Sequence, residues 1–215
     1  YPHATDSTWL YDVHVYPKNK LNTTTPEKTV AAPDAVILGS TVDWTITAPI
    51  PALGPGGTYD AFVITDTLDP RLTLTGAVVK IDDTVLDVGV DYTVSGNVVI
   101  TLTAAGRAQL TGADNVIVEV STTVDSLGEG ETGGKISNHA IVRVNNSERE
   151  TGYPQTNWGP LQVIKKAAVA PNNTLQGAEF TLHETKGGAA LSVVGTLTTD
   201  VNGEIFVDGL WVGNG

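Results

Sequence analysis

Short runs of alternating apolar and polar residues, each closed by Gly, Pro or Asn, constrain this chain to a sheet fold. They cover 36–47, 59–67, 77–81, 91–94, 98–103, 115–124 and 135–144. A period of two turns every second side chain to the same face, so each run can bury one face and wet the other. Val and Thr, whose branched side chains suit a pleated surface, dominate the runs, and no apolar stripe of period 3.6 is long enough for a helical bundle. Regular spacing of such runs with turn residues between them predicts an all-β chain of β-sandwich type. One short helix is expected at 104–110, where Ala, Arg and Gln replace the β-branched residues.

A chain of 215 residues has room for one large or two modest domains, each able to bury a core. The polar, turn-rich segment 146–160 precedes a fresh alternation from Leu161 to Lys165, which places a domain boundary near residue 158. The net charge of −12 argues against nucleic acid and against an anionic membrane surface, because phosphate neutralisation needs clustered Lys and Arg. No run approaches the roughly 18 apolar residues of a membrane span, and Tyr1-Pro-His-Ala-Thr5 has neither part of a signal peptide. The absence of cysteine removes thiol chemistry and leaves the compartment open. The absence of methionine suggests a piece of a longer precursor, with any signal peptide or wall anchor outside it.

Three polar residues interrupt apolar rows. Asp66 shares its face with Phe62, Ile64 and Leu68, and Asn138 with Ile136, Ala140, Val142 and Val144. Lys28 stands in line with Val30 and Ala32, whereas its neighbour Lys20, the rival candidate, has no apolar row beside it. Burying such groups singly costs several kcal/mol each, and more for a charge, so the rows predict that the three converge. An amine kept neutral by desolvation can attack the side-chain carbonyl of Asn and expel ammonia. A carboxyl kept protonated by the same burial can polarise that carbonyl and carry the proton. Lys28 is the expected nucleophile, Asn138 the acceptor and Asp66 the catalytic acid. The alternative is that Asp66 caps a turn at Asp69-Pro70, Asn138 bonds a neighbouring strand and Lys28 is solvated.

The stretch Trp9-Leu-Tyr-Asp-Val-His-Val-Tyr-Pro-Lys-Asn19 resembles the pilin motif W-x-x-x-V-x-V-Y-P-K-N of the backbone subunits of sortase-assembled pili on Gram-positive bacteria. Every fixed position is present. The resemblance implies that Lys18 is the amine a pilus-specific sortase joins to the next identical subunit, giving a covalent head-to-tail polymer. Leu175-Gln-Gly-Ala-Glu-Phe-Thr-Leu182 and Asp208-Gly-Leu210 resemble the start of a CnaB-type domain, whose later E-T-x-A-P-x-G-Y segment is missing here. The runs Val63-Ile-Thr-Asp-Thr-Leu68 and Ile136-Ser-Asn-His-Ala140 resemble the acid-bearing and acceptor strands of CnaA- and CnaB-like domains. Such domains carry intramolecular Lys–Asn isopeptide bonds.

The expected organisation is therefore a pilin-motif strand and linker at 1–19, an Ig-like isopeptide domain at 20–158, and the start of a CnaB-like domain at 159–215. In the last, Lys165 continues the row of Leu161 and Val163 and is the candidate nucleophile, unreacted or with its partner elsewhere. The family implies a structural protein of the cell surface, in a pilus linked to the cell wall, whose only chemistry is autocatalytic crosslinking without turnover. A host receptor is a further partner the family allows.

The competing class is a wall-anchored adhesin for host matrix or glycans, which would gather Trp44, Trp158 and Trp211 into an exposed groove. An extracellular hydrolase would need paired carboxylates or a triad, and neither is found. His3, His14, His139 and His183 have no metal spacing, and the acidic stretches 125–131 and 81–84 match no defined calcium loop. No metal and no cofactor is expected. Sequons at Asn22, Asn145 and Asn172 carry little weight in a bacterial surface protein.

Overall fold

A computed structural model describes residues 25–170, 172–183, 188, 190 and 194–215. The pilin motif with Lys18, and Lys20, lie outside the described residues. Among the described residues fifteen strands and one helix follow in chain order: β1 (Glu27–Val30), β2 (Thr41–Pro49), β3 (Phe62–Asp66), β4 (Leu72–Ile81), β5 (Thr84–Val85), β6 (Tyr92–Ser95), β7 (Val98–Leu102), α1 (Ala104–Ala108), β8 (Asn115–Val124), β9 (Gly134–Ser137), β10 (Ala140–Val144), β11 (Ser147–Glu150), β12 (Gln155–Ile164), β13 (Glu179–Thr181), β14 (Thr196–Thr198) and β15 (Glu204–Asn214).

Two five-stranded antiparallel sheets, β1-β2-β8-β4-β5 and β11-β10-β3-β7-β6, form the sandwich. Their inner rows make one core: Val42, Trp44 and Ile46 of β2 and Val116, Val118 and Val120 of β8 meet Phe62, Ile64, Ile100 and Val142 of the other sheet. These residues alternate with exposed or half-buried ones along each strand, as the period of two requires. The helix is N-capped by Thr103, whose hydroxyl accepts from the Gly106 amide. A third sheet, β15-β12-β9, adjoins the sandwich, and among the described residues β13 pairs only with β14.

The structure differs from the sequence reading chiefly at the ends and breaks of strands. β2 starts at Thr41 instead of 36, because Gly39 takes a left-handed φ of 85° and the preceding residues form turns. The run 135–144 divides into β9 and β10, which join different sheets. The segment 146–160 contains β11 and most of β12: Thr156 and Trp158 face inward between half-buried neighbours, and Pro160 is tolerated at a register shift in the pairing with β15. Position 158, the expected domain boundary, therefore falls inside a strand. β15 pairs with that strand from Thr156 to Ile164, and β9 flanks its other side from Gln155 to Trp158.

Beyond β12 the described residues bury little. Ile205 and Thr199 are buried, and the Thr199 hydroxyl takes the Ala178 amide and donates to the Leu175 carbonyl. Exposed Val169, Val201, Phe206 and Val212 belong to this part.

Candidate functional site

Lys28 reaches the core because β1 is short and its burial alternates. Glu27 and Thr29 point to solvent while the Lys28 side chain is 0% exposed. On the neighbouring strand, Ile46 is its register partner and the ring of Trp44 lies 5.4 Å from its Nζ. Asp66 ends β3 in the opposite sheet, where Ala140 is its partner across the ladder, and its side chain is also fully buried. Asn138 is 1% exposed and occupies the break between β9 and β10, two residues before that ladder begins. Alternation continues through the break, so Ile136, Asn138, Ala140 and Val142 all face inward.

The three side chains meet on one atom. Lys28 Nζ donates to Asp66 Oδ2 at 2.5 Å, and Asn138 Nδ2 donates to the same oxygen at 3.4 Å. Asp66 Oδ1 and Asn138 Oδ1 are buried and accept no hydrogen bond among the described residues. Two unsatisfied acceptors in a dry core are costly, and such a cluster is high-stakes for the fold. A half-turn of the amide about its Cβ–Cγ bond would bring its carbonyl oxygen toward Asp66, where a protonated carboxyl can donate to it.

Burial pushes the Lys28 amine below the usual lysine range, against the opposing pull of Asp66. Burial likewise pushes Asp66 above the usual carboxylate range, against Lys28, the Asn138 amide and the more distant His139. Both directions favour the uncharged forms, amine and carboxylic acid. Moving one proton along the 2.5 Å contact interconverts ion pair and neutral pair without any exchange with solvent. The arrangement thus holds a nucleophilic amine, an electrophilic amide and a proton carrier out of water.

The remaining candidates do not join this cluster. Lys165 is exposed, a correction to its expected inward position. β12 ends at Ile164, and past that point the backbone bonds of Lys165 run to Gly203 and Leu175. Trp44 and Trp158 are core residues and Trp211 packs half-buried against the same core, so the three do not line an exposed groove. Among the described residues no group of His, Asp and Glu is placed to hold a metal. Thr122 was missed: it stands in the inner row of β8 with Val118, Val120 and Val124, accepts from Trp44 Nε1 at 3.1 Å and donates to the Val42 carbonyl. The rule that exposed Asp66, a polar residue in an apolar row, would have found it.

No family model matches the chain. It is 28% identical over 246 residues to a fimbrial subunit type 2 of Actinomyces naeslundii, an alignment that takes in 96% of this chain and 45% of that relative. Domains D2 and D3 of the major pilin SpaD from Corynebacterium diphtheriae superpose with a TM-score of 0.70 at 32% identity, covering 88% of this chain and 75% of that one. The Actinomyces fimbrial adhesin FimA matches with a TM-score of 0.61 at 25% identity, over 89% and 80% of the two chains. The fold class is that of tandem Ig-like domains of structural surface proteins. Within that class, the chain belongs to the fimbrial subunits and major pilins of Gram-positive bacteria. It spans about half the length of the curated relative it matches.

Proposed function

We propose that the protein is a shaft subunit of a covalently polymerised cell-surface pilus, locked internally by an isopeptide bond between Lys28 and Asn138. The observation that carries the lock is the convergence of Lys28 and Asn138 on one oxygen of a buried Asp66. In the reaction the neutral amine of Lys28 attacks Asn138 Cγ while the Asp66 acid hydrogen-bonds the carbonyl oxygen. Asp66 then relays a proton from the attacking nitrogen to Nδ2, the Cγ–Nδ2 bond breaks, and one ammonia leaves. The new bond is an amide, no redox partner is needed, and the carboxyl ends as it began.

The link between subunits belongs to Lys18, the lysine of the pilin motif, as the amine for a pilus-specific sortase. The polymer is then made of identical subunits, linked to the cell wall and exposed for adhesion. The 20–158 unit is the locked domain in this reading, and 159–215 begins the next one.

Intact mass of the folded protein tests the lock. A formed bond lowers it by about 17 Da, one ammonia, and a mass equal to the sequence would refute it. Incubation with a pilin sortase tests the link: ladders are expected from the parent chain, and a Lys18→Ala chain that still polymerised would remove Lys18 from its role.

A further inference from the structure

The acceptor Asn138 sits opposite an extra residue. Ser137 pairs with Gln155 and Ile141 with Glu150, so the three residues 138–140 run alongside the four residues 151–154. Bonds on either side locate the surplus. The Asn138 amide donates to the Pro154 carbonyl at 3.1 Å, and the Thr151 amide to the Ala140 carbonyl at 2.9 Å. The Ala140 amide in turn donates to the Thr151 hydroxyl at 2.9 Å. His139 is thus left facing both Gly152 and Tyr153, the two-against-one count of a β-bulge.

Side chains on the outer face close this bulge. The Tyr153 ring stacks on His139 with centroids 4.5 Å apart and planes 28° from parallel. Glu150 Oε1 accepts from the Tyr153 hydroxyl and lies 3.1 Å from His139 Nε2. Asn138 and Ala140, on either side of His139, point the other way into the core. A ring fixed outside the sheet therefore fixes the backbone from which the acceptor amide projects inside it.

The geometry points to Tyr153, with His139 and Glu150, as positioning residues for the crosslink: a clamp on the bulge that sets where the Asn138 amide lies relative to Lys28 and Asp66. None of the three touches the reacting atoms. Bulges beside reactive centres re-aim side chains, and a displacement of about 1 Å in a reacting pair can cost a hundredfold in rate. The inference rests on the Lys28–Asn138 reading.

The test follows ammonia loss in the full chain made by cell-free synthesis, with samples quenched into acid denaturant at intervals and weighed intact. Tyr153→Ala is expected to lose ammonia roughly tenfold or more slowly than the parent. Tyr153→Phe keeps the stacked ring and is expected to keep the parent's rate. A merely structural tyrosine would lower the melting temperature in Tyr153→Ala and leave its rate at the parental value, and that result overturns the proposal. Glu150→Ala, an exposed change that removes the shared acceptor, serves where Tyr153→Ala does not fold; a parental rate there overturns the proposal equally. A parent chain that loses no ammonia removes the crosslink itself, an outcome distinct from equal rates in parent and variant.

Discussion

In the proposed lock Asp66 has two tasks at the residue scale, and one substitution removes both. Asp66→Ala leaves Lys28 buried beside Trp44 with no acid to bond the acceptor carbonyl or carry a proton. Loss of such a general acid costs about 10²–10⁴ in rate, so the variant is expected to keep its full mass over the period in which the parent sheds ammonia. The pH dependence follows from the two shifts. The reactive form has Lys28 neutral and Asp66 protonated, so the rate falls at low pH as the amine protonates and at high pH as the carboxyl ionises. Burial lowers the first pKa and raises the second, so both limbs move in the direction that enlarges the reactive fraction between them. A bell-shaped profile of the initial rate of ammonia loss is expected. A rate that climbs steadily to pH 10 would show that the acid form of Asp66 is not required.

Among the elements, α1 illustrates how tightly a short helix can be bound to its surroundings. A Cβ at Gly106 would come 2.2 Å from the Asp91 carbonyl oxygen, the same oxygen that accepts from the Thr103 amide at 2.8 Å. Gly106→Ala should therefore lift the helix off the 87–92 segment and cost about 1–3 kcal/mol, read as a lower urea midpoint. The inner rows that made Lys28, Asp66 and Asn138 conspicuous were legible in the sequence because core placement obeys the period of two even where strands end. The ends themselves were not legible. Ile136 to Val144 reads as one strand because alternation passes unbroken through Asn138-His139, and only pairing partners reveal that the chain changes sheets there. β12 was hidden for the opposite reason. Asn157, Gly159 and Pro160 carry turn chemistry, yet flanking strands on both sides hold the segment extended. Lys165 continued an apparent row past the point where the strand stops.

For the molecule as a whole, the lock would close a loop of about 110 residues spanning both sheets, since Lys28 and Asn138 lie 38 and 72 residues from Asp66. Chain entropy assigns such a closure about 4–5 kcal/mol. Asn138→Ala, which removes the acceptor and keeps the Lys28–Asp66 pair, is expected to lower the unfolding free energy by about that amount. A urea titration giving equal stabilities for the parent and Asn138→Ala would argue against it.

The break at Asn138-His139 acquires a mechanical meaning once the chain is pulled. Lys28 lies in the first described strand, ten residues after Lys18, and from Asn138 the chain has only the β10–β11 hairpin to cross before β12 leads out of the sandwich. With the two joined, tension entering near Lys18 would pass from β1 to residue 138 through covalent bonds alone. Everything from β2 to β9 would hang beside the loaded path. Stretching a single molecule should then release roughly 35–40 nm less chain than the Asn138→Ala variant, at 3.3–3.6 Å for each sequestered residue. A sandwich built this way acts as a short link in a chain, with its folded mass shielded from the load.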